Sequence, residues 1–180
     1  MLNAPQQPPQ NPDLIRFTQE TISPTLSKPK PGETKAQHLD ALAALISNGT
    51  QAMTDFPACE VFGIVDKSTN EVVWYSLNNR KLYLAKKSHA TVMNTKLATF
   101  DEIAGDTWKM TSTSDGLSFP KLTSQNDKES QPSGLLAQFR DFVQIRNMLF
   151  PLNVRQDVPE TPPEKLKRVT TEEFGLICKR

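Results

Sequence analysis

Residues Trp74 to His89, WYSLNNRKLYLAKKSH, join two unlike patterns. The run VVWYSL, Val72 to Leu77, reads as a strand. It stops at the polar pair Asn78-Asn79, and Leu82, Leu84 and Ala85 then open a helical pattern. Arg80 and Lys81 stand at the junction. A helix start leaves its first backbone N–H groups without intrahelical partners, and the helix dipole there favours an anion. Arg adds a planar fork suited to phosphate oxygens, and Lys adds a point charge. The plainer alternative is an ordinary N-cap at Asn79 followed by two solvated cations. Basic residues nevertheless oppose the dipole at a helix start, where Asp or Glu is expected, and an anionic ligand would offset that penalty.

A chain of 180 residues suits one domain with a real core. With 21 basic and 20 acidic residues the net charge is +1, so no global field argues for nucleic acid or membrane. Apolar content of 37% and 14 prolines point to irregular Pro-rich ends around the core. Cys59 and Cys178 are far apart and lack metal-ligand spacing, which reads as free thiols in a reducing compartment. No apolar run approaches the roughly 20 residues of a membrane span, and no signal peptide is visible. The expectation is a cytoplasmic chain, or one delivered into a target cell by a secretion system that reads no signal peptide.

Residues 1–13, MLNAPQQPPQNPD, read as a disordered Pro/Gln-rich tail. LIRFTQETI alternates Ile15 and Phe17 against Arg16 and Thr18, a short strand with Gln19, Glu20 and Ser23 at its end. After the loop SPTLSKPKPGE, Leu39, Leu42, Ala43 and Ile46 mark an amphipathic helix with Thr34 as candidate N-cap and Asn48-Gly49 as the stop. His38 and His89 read as surface histidines. ACEVFGIVDKSTNEVVWYSL reads as two strands about a turn at Lys67 to Asn70 that Asp66 serves. Trp74 and Tyr75 point to opposite faces, so only one of them is expected in the core. The helix from Arg80 is expected to extend to Val92 and Met93. A hairpin closing at Asp115-Gly116 is expected near Trp108, Met110 and Phe119. LLAQFRDFVQIRNMLF has Leu135, Phe139, Phe142, Val143, Ile145 and Leu149 at helical spacing, as a helix covering the core has. Residues 151–180 read as an extended tail. The fold class is α/β (α+β): a small mixed sheet with packed helices over residues 14–150.

Two separated segments, IRFTQETISPTL and YSLNNRKLYLAKK, stand in this order with an amphipathic helix between them. Together they resemble the ParB N-terminal/sulfiredoxin superfamily. In that superfamily a strand ends in a small or polar residue, and a His-Arg or Arg-Arg pair opens the next helix. Asn78, Asn79, Arg80 and Lys81 hold the corresponding positions here. The chain looks most similar to a divergent branch found among bacterial effector-like and toxin-like proteins, over about residues 14 to 120. Lys81 departs from the commoner second Arg and so keeps the charge without the fork.

The resemblance implies that the first strand and its following loop face the ligand across from this helix. Gln19 and Glu20 would then position substrate, with Glu20 as general base and Arg80 as a catalytic cation. Arg16, Ser23, Asn78, Asn79, Arg80 and Lys81 form the implied phosphate-binding set. The superfamily contains CTP-using clamps, ATP-dependent sulfinic-acid reductases, nucleoside-diphosphate-dependent kinases and nuclease-like members. A nucleoside triphosphate or diphosphate with magnesium is therefore the implied co-substrate. Reductase chemistry is disfavoured, because that family has a cysteine where Asn79 stands. ParB-type partition is disfavoured as well, because no helix-turn-helix DNA reader is visible after the first domain.

The residues themselves offer no P-loop, HExxH, paired CxxC, Gly-x-Ser-x-Gly or Gly-rich dinucleotide turn, and no metal set. The expectation is an effector- or toxin-type enzyme acting on nucleotide or nucleic-acid phosphates, as a nuclease or as a nucleotide-hydrolysing or phosphoryl-transfer enzyme. The alternative is a non-catalytic scaffold or DNA-binding module on the same fold, whose last helix and Pro-rich ends engage a protein partner such as an immunity protein.

Overall fold

The computed structural model describes residues 7–26, 37–125, 130–149 and 162–179. Two strands joined by a tight turn form its centre: β3 (Cys59–Asp66) and β4 (Glu71–Ser76), antiparallel with Gly63 opposite Trp74. The turn is built by its own residues. Asp66 accepts from the Ser68 N–H at 2.8 Å and from its hydroxyl, and Asn70 takes the left-handed conformation that Asn tolerates. β1 (Ile15–Phe17) lies parallel to β4, and β5 (Thr95–Leu97) lies parallel to β3, giving a mixed sheet in the order β1-β4-β3-β5. A second, two-stranded sheet pairs β2 (Thr21–Ile22) in parallel with β6 (Lys121–Leu122).

Five α-helices complete the described chain: α1 (Leu39–Ser47), α2 (Asn79–Lys87), α3 (Phe100–Gly105), α4 (Gly134–Leu149) and α5 (Pro162–Phe174). The four-stranded sheet is covered on both faces. Ile15, Phe17, Val61 and Trp74 pack with α1 and α2, while Phe62, Ile64 and Tyr75 pack with α4 and α5. Trp74 and Tyr75 do point to opposite faces, yet both are buried, because a helical layer lies on each side. The fold is thus mixed α/β, and no helix among the described residues is long and apolar enough to cross a membrane.

Several elements differ from the sequence expectation. The N-cap of α1 is His38, whose Nδ1 accepts from the Asp40 N–H at 3.2 Å; Thr34 lies outside the described residues. The stop at Asn48-Gly49 is where the pattern puts it, with Gly49 left-handed. α2 ends at Lys87, because Ser88 caps it and His89 turns left-handed. Val92 and Met93 therefore follow the helix, and only Met93 is buried. No hairpin forms around Asp115-Gly116. Thr99 and Glu102 make a reciprocal capping box that starts α3, and the turn at Asp115-Gly116 leads instead to β6 beside β2.

Both ends are more ordered than a tail reading allows. Gln10 accepts from the Met93 N–H at 2.9 Å and Pro12 is buried, while residues 1–6 lie outside the described set. Residues 162–174 form α5 rather than an extended tail, with Leu166 and Phe174 buried. Phe174 meets the rings of Phe139 and Phe142 on α4 edge-on, at 5.4 and 5.2 Å between centroids. Ile177 then exchanges backbone hydrogen bonds with Gly63, so the chain end closes onto the sheet. The interior of α4 faces inward through Leu136, Phe139 and Val143, as a covering helix should, whereas Ile145 is exposed. Residues 150–161 lie outside the described set.

Candidate functional site

Parallel pairing sets β1 level with β4, with Phe17 opposite Ser76. The residues that follow these two strands therefore meet at the start of α2. Asn79, the first helical residue, is buried and directs its amide at the end of β1. Its Oδ1 accepts from the Thr18 N–H at 2.8 Å. Its Nδ2 donates to Thr18 Oγ1 at 2.7 Å and to Gln19 Oε1 at 3.0 Å. The Thr18 hydroxyl in turn donates to the Ser76 carbonyl at 2.8 Å. Every polar atom of this buried group is matched, so Asn79 acts as a clamp between strand and helix.

Asn78 occupies the N-cap but does not cap. Its Oδ1 turns aside to accept from the Glu60 N–H at 2.7 Å. The first turn carries no acidic side chain either. The start of α2 therefore has its positive dipole and no capping side-chain oxygen; the Lys81 N–H turns to the Asn78 carbonyl at 2.9 Å, and the carboxylate beside it is that of Glu60, which accepts from Asn78 Nδ2 at 3.4 Å. Arg80 is exposed beside it, and one of its guanidinium nitrogens donates to the Thr25 carbonyl at 2.9 Å.

The two cations of the sequence motif diverge. Adjacent helical residues sit about 100° apart, and Lys81 runs to the opposite side, where Nζ donates to the Ala58 carbonyl at 3.2 Å. It lies near Cys59, a buried thiol whose pKa burial pushes up to about 11. Gln19 is brought to the helix start through Asn79. Glu20 turns the other way: its carboxylate accepts from the Thr113 N–H at 3.1 Å and hydroxyl at 2.9 Å, and meets Lys121 Nζ at 3.9 Å. Ser23 sits close by, with Oγ 3.3 Å from Thr25 Oγ1.

Arg16 is not part of this group. It stands opposite Tyr75 in the register and pairs with Asp115 on the α4 face of the sheet. Asp115 also accepts from Tyr75 Oη at 2.8 Å and from the Leu136 N–H at 2.9 Å, which caps the start of α4. Burial and the neighbouring Asp115 carboxylate hold the Tyr75 hydroxyl far above its usual pKa, fully protonated at neutral pH.

Residues the sequence did not single out complete the neighbourhood. Thr18 receives both arms of the clamp, and Thr113 orients Glu20. Tyr83, one turn after Arg80, donates to Asp40 at 2.8 Å and meets the ring of Phe119 edge-on at 5.6 Å. Thr18 lies inside the quoted IRFTQETISPTL segment, but Phe119 carries no local signal, since only the 113–122 loop brings it back to α2. Two surface cavities, of about 430 and 390 Å³, lie elsewhere, beside β5 and beside the β3–β4 turn. Among the described residues no group of three or more His, Cys, Asp or Glu side chains could hold a metal ion.

Compared with protein families, with curated proteins and with solved structures, the chain finds no match in any of the three. The arrangement at α2 therefore rests on its own chemistry: a clamped strand end, an uncapped helix start and an exposed guanidinium.

Proposed function

We propose that the chain is an effector- or toxin-type protein of the ParB/sulfiredoxin-like kind, which binds the phosphate of a nucleotide or nucleic acid at the start of α2. The observation that carries this reading is the uncapped first turn of α2 next to the exposed guanidinium of Arg80. Backbone N–H groups and helix dipole receive the anion, and Arg80 forks onto its oxygens. Thr18, Gln19 and Asn79 hold the strand end against the helix, and Lys81 contributes charge only from the far side. The same guanidinium would stabilise developing charge in phosphoryl chemistry. Glu20 is the base that this reading assigns, with its carboxylate turned to Thr113 and Lys121.

A second reading, a non-catalytic binding module at the same site, is favoured by the engagement of Glu20. Both its oxygens already face partners, Thr113 and Lys121, and neither partner is Arg80.

Calorimetric titration with ATP, CTP, ADP and a short DNA, with and without magnesium, tests the site on wild type and Arg80→Ala. Binding that is lost in Arg80→Ala at unchanged melting temperature supports the anion site. Equal binding by both proteins removes Arg80 from it. Product formation in the same samples separates the enzyme from the binding module.

A further inference from the structure

One exposed ring, that of Phe119, lies against α2 on a base of two buried rings. Phe119 is about half exposed, at 50%, and is wedged between Phe17, 5.6 Å between centroids, and Tyr83, also 5.6 Å. Phe17 is covered from the other side by Lys86, whose Nζ stands 5.4 Å from the ring centroid. Arg80, Tyr83 and Lys87 lie three and four residues apart and share one stripe of the helix, with Lys86 next to Tyr83. Leu117, on the same loop as Phe119, is 70% exposed.

The cations are the second observation. Lys86 is half-buried and makes no ion pair among the described residues. Burial lowers its pKa, with Asp13 near enough to offset the effect only in part. Two other carboxylates of this surface are hydrogen-bonded and keep their charge, Asp40 with the Tyr83 hydroxyl and Glu20 with Thr113. Lys121, two residues after Phe119, is largely exposed. Phe119 alone offers an exposed ring here, since Phe17 and Tyr83 are buried behind it, and the ligand that fits one exposed ring beside cations carries a flat π-face and flanking negative charges.

We infer that the surface formed by Arg80, Lys86 and Phe119, with Tyr83 buried behind the Phe119 ring, binds single-stranded nucleic acid, with a base stacked on Phe119 and the flanking phosphates held by Arg80 and Lys86. The inference rests on the phosphate reading of α2 and names its substrate class. A strand is favoured over a free nucleotide for two reasons. Neither of the two cavities described above borders these residues, whereas a small nucleotide depends on enclosure. The cations also extend for two turns along α2, farther than one phosphate requires. Stacking accepts any base, so recognition would tolerate sequence.

The test is fluorescence anisotropy of a labelled twelve-nucleotide oligothymidylate at low and high salt, with unlabelled duplex and ATP as competitors. Wild type is compared with Phe119→Ala, Phe119→Trp, Lys86→Gln and Arg80→Ala, each checked by thermal melting. The expected result is strand binding that weakens about tenfold or more in Phe119→Ala and survives in Phe119→Trp, because Trp keeps the stacking face. Lys86→Gln and Arg80→Ala should each weaken binding and flatten its salt dependence. Binding lost in Arg80→Ala but unchanged in Phe119→Ala overturns the stacking shelf and leaves the anion site standing. ATP binding without strand binding, or a preference for duplex, overturns the choice of a single strand. No binding to any probe at low salt overturns both readings.

Discussion

Asn79 at the start of α2 grips Thr18 at the end of β1 from both sides, accepting from its N–H at 2.8 Å and donating to its hydroxyl at 2.7 Å. The two residues are 61 positions apart, and both are buried. Removing the amide in Asn79→Ala leaves the Thr18 N–H buried without a partner, a loss of about 2–3 kcal/mol. Thr18→Val removes the other half of the contact and also frees the Ser76 carbonyl. Because both variants break one shared network, urea unfolding of the singles and the double should reveal a coupling of about 1 kcal/mol or more. Strictly additive losses would mean that the clamp is an incidental contact.

Gly49 and Gly116 share nearly the same left-handed backbone, φ +78 and +79, but not the same surroundings. A Cβ on Gly49 meets nothing within 4 Å. A Cβ on Gly116 overlaps the Phe17 carbonyl oxygen and lies 2.7 Å from Arg16 Cβ, because the Asp115-Gly116 turn presses against β1. The Gly116 carbonyl also accepts from the Phe17 N–H at 3.1 Å. Gly49→Ala should therefore lose about 1 kcal/mol, the cost of conformation alone. Gly116→Ala should lose about 4 kcal/mol or more, or fail to fold. Thermal melts that shift equally for the two variants would refute the close approach.

The segment from β3 to α2 could be read from the sequence because each signal there is local: alternation, an Asp66-led turn, a polar break and a helical pattern. The capping box of Thr99 and Glu102 was equally local, yet the β-rich look of the surrounding LATF and TWKMTSTS runs hides it. α5 was not legible for a different reason. Its few apolar positions, such as Leu166 and Phe174, look too sparse for a core helix until Phe139 and Phe142 of α4 are brought against them. At the candidate site, the sequence names Arg80 and Gln19 but cannot separate Arg80 from Lys81, which a helix turns to different sides. Arg16 alternates with Ile15 and Phe17, and a sheet covered on both faces carries it to Asp115 instead. Phe119 reaches α2 only through a loop whose course no local pattern fixes.

Cys59 gives the fold a defined alkaline weakness. Its thiol is fully buried, and burial raises its pKa from 9.0 to about 11, partly offset by the Ser76 hydroxyl 3.2 Å away and by Lys81. Between those values the unfolded chain releases the proton while the folded chain keeps it. The contribution is therefore fully present below about pH 9 and is lost as pH rises toward 11. The loss should reach about 1 kcal/mol by pH 10 and 2–3 kcal/mol in all. Tyr75, also held protonated by burial, adds to the same trend from pH 10 upward. Urea unfolding of wild type and Cys59→Ala at pH 8, 9 and 10 separates the two groups. Cys59→Ala should be less stable at pH 8 because of the volume it loses, and should close that gap as pH rises to 10, while Tyr75, common to both proteins, cancels from the difference. A gap that stays constant from pH 8 to 10 would show that the thiol ionises alike in the folded and unfolded chains, and so that its burial is not what the packing around Ser76 implies.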